Sequence, residues 1–222
     1  MLEVIDKGSI SDAHPVPLLF VHGAWHAAWC WDEHFLSFFA DKGYRAVALN
    51  LRGHGNSPSD KPLRACSVAD FVEDIASVAD GLPTPPVIIG HSMGGHGAIT
   101  LALRHPGIFR SVSAFAPICA PMRCPWGQKA FRNYLGEDQQ SWRQHDATAL
   151  IEDGMRAPDL LIDQGMDDQF LVSQLYPEAL EKTCREASQK LTLRFHSGYD
   201  HGYYFISTFI GEHLKYHSEQ LG

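Results

Sequence analysis

Residues 87–97, VIIGHSMGGHG, constrain the fold more than any other stretch of this 222-residue sequence. A short apolar run ends in Gly90-His-Ser92-Met-Gly94, and a segment with helical spacing of apolar residues follows it. A Gly-x-Ser-x-Gly sequence between a strand and a helix is typical of a sharp turn that holds its serine above the end of a sheet. A β-carbon at either glycine would collide with the adjoining strand or helix. The sequence therefore predicts a strand–turn–helix unit with Ser92 at the turn.

Further along the chain, short apolar runs alternate with longer segments of helical period. This pattern predicts an α/β fold, with a mostly parallel central sheet and helices on both of its faces. The apolar runs are VPLLFVHG (16–23), YRAVALN (44–50), PPVIIGHS (85–92), FRSVSAFAPI (109–118), DLLIDQG (159–165) and LTLRFH (191–196). Since no repeat or linker divides residues 1–222, we expect a single domain.

The helices and the irregular middle of the chain complete this prediction. Ser67 is placed as the N-cap of a helix that ends near residue 80, and further helices are expected over about 169–189 and 202–220. Residues 117–157 are rich in Pro, Trp, Gln and paired charges. They predict short helices and loops that form a small cap over the domain.

Charge and cysteine content restrict the partners and the compartment. With 18 Lys and Arg against 26 Asp and Glu, the net charge is −8, which argues against nucleic acid or an anionic membrane as a partner. Five cysteines without a CxxC pair indicate a reducing compartment. No signal peptide or membrane span is evident, so a cytoplasmic protein is expected. The oligomeric state is left open, with a homodimer as one alternative.

Candidate catalytic side chains follow the predicted strands, where the carboxyl ends of a parallel sheet meet. In chain order they include Ser92, then acids, then a histidine. A serine hydroxyl is a weak nucleophile without a base, and His201, after the last strand, is the best candidate for that base. Asp167 and Asp168 both qualify as the acid. His213 and His217, on the closing helix, are expected on a solvated face.

Ester hydrolysis by a serine also needs donors for the developing oxyanion. The backbone N–H of Met93, at the start of the helix after Ser92, is one candidate. The N–H of Ala24, in the HGA sequence after the first strand, is the other. His22 and His26 are four residues apart, but no HExxH motif, P-loop or dinucleotide fingerprint is present. No metal or organic cofactor is implied.

These residues resemble the α/β-hydrolases, and two parts of the chain resemble different branches. Residues of about 17–95, including PLLFVHGAWHAAWCW and LNLRGHGNS, are similar to the small esterase and hydroxynitrile-lyase-like branch. Residues of about 90–222 resemble S-formylglutathione hydrolase (esterase D), through GHSMGGHGA, LIDQGMDDQF and YDHGYYFISTFI among others. This resemblance implies Ser92 as nucleophile, Asp168 as the orienting acid and His201 as base. The change of resemblance leads to the hypothesis of a fusion point near 90–97.

We therefore expect a serine hydrolase that cleaves small carboxylic esters or thioesters through an acyl-enzyme. One alternative is S-formylglutathione hydrolase itself, although VHGAWHAAW stands where that family has a GLTC loop. The other is an α/β-hydrolase scaffold that binds a small ligand, or only folds, without catalysis.

Overall fold

The computed structural model of the chain describes residues 1–23, 26–63, 66 and 68–221. Ser67, predicted to cap a helix, lies outside these residues. The described part contains a seven-stranded sheet in the order β1-β3-β2-β4-β5-β6-β7. The strands are β1 (Val4–Lys7), β2 (Leu18–Val21), β3 (Ala46–Leu49), β4 (Val87–His91), β5 (Ser111–Phe115), β6 (Leu160–Gly165) and β7 (Leu191–His196).

Six of these strands run parallel, as the apolar runs predict, and β1 pairs with β3 in the antiparallel sense. Strand β1 has no counterpart among the predicted strands. Its four residues, VIDK, alternate between half-buried and exposed positions at the edge of the sheet, so they form no apolar run. The mostly parallel α/β fold is thus confirmed, with one additional edge strand.

Helices cover both faces of the sheet. They are α1 (Trp29–Trp31), α2 (Ser37–Asp41), α3 (Val68–Asp80), α4 (Met93–Arg104), α5 (Pro125–Leu135), α6 (Gln139–Trp142), α7 (Ala147–Glu152), α8 (Pro177–Glu186) and α9 (Tyr203–Leu221). A π-helical segment, Asp32–Leu36, joins α1 to α2. Short helices and loops alone follow β5 as far as β6, as predicted for 117–157.

Alternate residues of each strand enter two separate cores. Leu19 and Ile88 pack with side chains of α3, α4, α7 and α8 on one face. Phe20 and Ile89 pack with side chains of α1, α2 and α9 on the other face. This follows from the two-residue period of a strand, because both faces of a parallel sheet are buried.

The helix predicted over 169–189 is interrupted. A π-helical segment, Leu171–Leu175, ends at Tyr176, which has a left-handed backbone with φ of 52°. Pro177 then begins α8, where its fixed φ and missing N–H suit the first turn. The predicted continuous helix is therefore wrong, because Pro177 breaks it.

Candidate active site

Ser92 occupies a strained turn between β4 and α4. Its φ of 56° and ψ of −119° lie in a region that non-glycine residues rarely adopt. A β-carbon on Gly90 would lie 2.3 Å from the carbonyl oxygen of Gly94, and one on Gly94 would lie 2.5 Å from that of Val21. Neither position can accept a larger residue without moving backbone. The two glycines therefore allow the turn, as their spacing predicts.

Strand β4 is the middle strand of the sheet, and Ser92 follows its carboxyl end. The Ser92 N–H donates to the carbonyl of Phe115 at the end of neighbouring β5, at 3.0 Å. Met93 begins α4, so its N–H lies among the unpaired donors at the helix N-terminus. Ala24, the second predicted oxyanion donor, lies outside the described residues.

Gly23, at the end of the loop from β2, approaches the Ser92 side chain. A β-carbon on Gly23 would lie 3.7 Å from Cβ of Ser92. His22 fixes this position, because its Nδ1 lies 2.8 Å from the carbonyl of Gly23 and its Nε2 accepts from the N–H of Leu51 at 3.3 Å. Burial lowers the pKa of His22 to about 4. The ring is thus neutral at pH 7, with its proton on Nδ1 donated to Gly23.

Asp168 and His201 are brought together from two separate loops. His201 Nδ1 lies 2.6 Å from Oδ2 of Asp168. The amide of Gln164 and the N–H of Phe170 also donate to this carboxylate, at 3.2 and 2.8 Å. Burial alone would raise the pKa of Asp168, but the hydrogen bond from His201, its charge and the Phe170 N–H together hold it below the usual value. Asp167, in contrast, is exposed.

His201 reaches the serine turn through a ring contact rather than a hydrogen bond. Its ring centroid lies 4.8 Å from that of His91, the residue before Ser92. Among the described residues, no hydrogen bond joins the Ser92 hydroxyl to His201. Catalytic hydrogen bonds of this kind are often long in unliganded enzymes and shorten when substrate binds. The structure therefore brings Asp168 and His201 together beside the serine turn.

His91 separates these groups from the core. It is 3% exposed, and neither ring nitrogen has a partner among the described residues. Burial, and to a lesser extent the neighbouring His201, lower the pKa of His91 to about 3. Its ring also contacts the edge of Tyr203 at 5.4 Å. His91 is therefore a neutral packing residue beneath His201.

A second set of serine, histidine and aspartate lies inside the fold, and we call it the buried network: Ser111, Ser113, Asp163, His213 and His217. His213 bridges Asp163 and Ser113, at 3.2 and 2.8 Å. His217 bridges Ser113 and Ser111, at 2.8 Å each. The two histidines are 0% and 1% exposed, so the prediction of a solvated face is wrong.

The prediction is wrong because strand β5 packs against the helix face that carries these two histidines. Ser111 and Ser113 are two residues apart on β5 and therefore point to the same face, where α9 packs. His213 and His217 are four residues apart on α9 and share one face of that helix. The sequence does contain a signal for this contact: two serines spaced to share one face of a strand and two histidines spaced to share one face of a helix.

No cluster of three or more His, Cys, Asp or Glu side chains suited to a metal ion occurs among the residues that the structure describes. Within those residues, no helix has the length and apolar character required to cross a bilayer.

A family model for esterases matches residues 65–216, which include Ser92, Asp168 and His201. The chain belongs to the Esterase family. This esterase is also similar to S-formylglutathione hydrolase from Agrobacterium tumefaciens, with 32% identity, a TM-score of 0.81, and coverage of 100% of this chain and 96% of the other. It is accordingly a carboxylic-ester hydrolase with the α/β-hydrolase fold.

More distant structures share the fold of this esterase. A monoacylglycerol lipase of Paleococcus ferrophilus is 17% identical, with a TM-score of 0.71 and coverage of 99% of both chains. Esterase B of Lactobacillus rhamnosis is 16% identical, with a TM-score of 0.71 and coverage of 96% of this chain and 79% of its own.

Proposed function

We propose that this esterase cleaves small acyl esters and thioesters through an acyl-enzyme on Ser92. His201 takes the proton of the Ser92 hydroxyl through Nε2 as the oxygen attacks the acyl carbonyl. Asp168 holds the ring with its other proton on Nδ1 and stabilises the imidazolium. The N–H groups of Met93 and Ala24 receive the oxyanion.

The tetrahedral intermediate then collapses, and the bond from the acyl carbon to the leaving oxygen or sulfur breaks. His201 returns its proton to that leaving atom. In the second half-reaction, His201 takes a proton from water as the water oxygen attacks the acyl carbon. It then returns that proton to the Ser92 oxygen as the bond from the acyl carbon to Ser92 breaks, which releases the acid and free Ser92.

One observation carries the proposal: the 2.6 Å contact between Asp168 and His201, beside a serine that sits in a strained turn. Strained backbone of this kind persists only where the surrounding structure enforces it, and it concentrates at functional sites. The close approach of Gly23 to Ser92 supports an oxyanion donor from the same loop.

Labelling with a fluorophosphonate probe tests the proposal. The wild type should be labelled and Ser92→Ala should not be, while Ser113→Ala serves as the matched control and should retain the label. An unlabelled but folded wild type would favour the alternative of a non-catalytic scaffold.

A second candidate is S-formylglutathione hydrolase itself, which the 32% identity over the whole chain favours. Turnover of S-formylglutathione and of p-nitrophenyl acetate distinguishes the two. A preference of several orders of magnitude in kcat/KM for the glutathione thioester would support the narrower function. The fusion near residues 90–97, the cytoplasmic location and the homodimer stay predictions.

A further inference from the structure

A cavity of about 250 Å³ opens on one side of the serine turn. Gly23 and Met93 line it where it reaches that turn, and α4, α3 and α5 form its walls. Most of its lining is aliphatic or aromatic, including Leu51, Phe71 and Phe131. Neither lysine, arginine nor an acid lines it among the described residues. The histidines that line it among these residues are His22, His54 and His96. A peptide carboxylate would lose its hydration there and, among the described residues, find no lysine or arginine to pair with.

The position of the cavity determines which part of an ester it would receive. His201 must lie beside the leaving atom to return a proton to it, whereas the oxyanion donors hold the acyl oxygen. His201, Asp168 and Ser92 itself do not line the cavity, whereas Met93 and Gly23, the neighbours of Ser92, do. The cavity consequently lies on the acyl side of the scissile bond.

Gly97 keeps this cavity open. It lies on the same face of α4 as Met93 and Leu101, four residues from each, and all three line the cavity. A β-carbon on Gly97 would meet no atom within 4 Å, whereas Gly94 is fixed by backbone contact. Neither packing nor an unusual φ explains Gly97. Glycine inside a helix costs about 1 kcal/mol relative to alanine, and at Gly97 the missing side chain leaves that space to the cavity.

We infer that the cavity is an acyl pocket, that it takes apolar chains of medium length as well as the small acyl groups of the proposed function, and that Gly97 sets its depth. An apolar protein cavity of about 150 Å³ holds one benzene molecule. By the same measure, this cavity takes an acyl chain on the order of six to ten carbons. The inference rests on the proposed function, since it assigns the acyl half of the substrate to one side of Ser92.

A series of p-nitrophenyl esters from acetyl to dodecanoyl tests it, because the leaving group stays constant. In the wild type, kcat/KM should rise by about fourfold per buried methylene until the cavity is full, and then fall. Gly97→Leu should shift the optimum to shorter chains and lower the octanoyl-to-acetyl ratio of kcat/KM at least tenfold. Gly97→Ala should lower that ratio by about fourfold, and it favours the helix, which protects folding.

Gly211→Leu is the matched control. Gly211 is an exposed position of α9 where a β-carbon also meets no atom within 4 Å, so the change is the same but distant from the cavity. Its chain-length profile should equal that of the wild type. Circular dichroism of each variant reports folding.

These experiments distinguish failure of the acyl pocket from failure of the proposed function. If the wild type is labelled by the fluorophosphonate and hydrolyses acetate, but folded Gly97→Leu and Gly97→Ala keep its chain-length profile, the acyl pocket is wrong and the serine mechanism stands. If the wild type neither hydrolyses esters nor takes the label, the proposed function fails and the pocket assignment fails with it.

Discussion

The molecule contains serine, histidine and aspartate together at two places, which differ in their access to solvent. At the edge of the sheet, the rim set comprises Ser92, Asp168 and His201, and the His201 side chain is 18% exposed. Inside the fold, the His213 side chain of the buried network is fully covered. The residue types are the same, so composition alone cannot assign catalysis to either set.

Hydrogen bonding in the buried network leaves no group free to react. Asp163 accepts from Nε2 of His213, so Nδ1 of that neutral ring accepts from the Ser113 hydroxyl. Ser113 in turn accepts from Nε2 of His217, whose Nδ1 accepts from Ser111. The Ser113 proton is thus committed to His213, and no substrate can reach it. Hydrogen bonding and burial give the network a structural role between β5, β6 and α9.

The largest expected difference between the two sets comes from removing their histidines. His201→Ala should lower kcat by roughly 10⁶-fold, as loss of the base does in related serine chemistry, with little change in stability. His213→Ala should leave the turnover per folded molecule near that of the wild type and reduce the free energy of unfolding. Ester hydrolysis and urea unfolding of both variants measure this. Equal losses of turnover in the two folded variants would contradict the assignment.

The two aspartates give the next comparison. Asp168→Asn should lower kcat by about 10⁴-fold, because an amide favours the wrong tautomer of His201. Asp163→Asn instead removes the charge that pairs with Arg194 at 2.6 Å, although Arg194 keeps its ion pair with Glu212. Because the Asp163 side chain is fully covered and that of Arg194 is 29% exposed, we expect a cost of about 1–3 kcal/mol of stability, between the values for exposed and buried pairs. A steady-state assay, corrected for the folded fraction by circular dichroism, distinguishes the effects. A stable but inactive Asp163→Asn variant would contradict the structural role.

These two places also differ in how far the sequence could predict them. Gly90 and Gly94 act within five residues of each other, so a local pattern predicts the serine turn. The acid was open between Asp167 and Asp168 on spacing alone, because neighbouring residues in one loop differ only in the direction that their side chains take. In the structure, Asp168 contacts His201, and this contact favours Asp168 as the proposed acid.

Contacts between segments that are distant in the sequence could not be predicted from such local patterns. His213 and His217 read as polar residues on a terminal helix, and only the serines of β5 opposite them make their burial favourable. Likewise, the cavity beside Gly97 depends on α3, α4 and α5 together, which no single segment reveals. The mostly parallel α/β architecture and the local serine turn were therefore predictable, while the identity of the buried polar contacts was not.

Lowering the pH should reduce the free energy of unfolding through the histidines of the buried network. Burial, and secondarily the neighbouring His213, hold the pKa of His217 well below its usual value. Below about pH 6.5 the unfolded chain takes up a proton at this ring and the folded chain does not, so stability falls as pH falls. Each such histidine contributes about 1.4 kcal/mol per pH unit. His217→Gln should reduce the slope of the unfolding free energy between pH 6.5 and 5 by this amount.

Urea unfolding at several pH values measures that slope for both proteins. Above about pH 7.5 the imidazole is neutral in both states, so the difference between the two proteins should be constant there and serves as the internal control. Asp163 does not produce this effect. Burial alone would raise its pKa, but hydrogen bonds from His213 and Arg194 lower that pKa to about 2. Its contribution is lost only as the pH falls from about 4 towards 2. Parallel slopes for the two proteins would show that His217 is protonated in the folded state.

The smallest expected effect is the difference in unfolding free energy between alanine variants of Ser113 and Ser111, the two serines that the histidines contact. Ser113→Ala removes a hydroxyl that bridges His213 and His217, so it leaves two buried ring nitrogens unpaired and should cost about 1–3 kcal/mol. Ser111→Ala removes only the last bond of the network and should cost about 1 kcal/mol. Urea unfolding measures both values, and fluorophosphonate labelling of the folded variants should match the wild type. If folded Ser113→Ala lost the label, the buried network would also be needed to position Ser92, Asp168 and His201, through the pairing of β5 with β6. Burial would then no longer distinguish the structural residues from the catalytic ones.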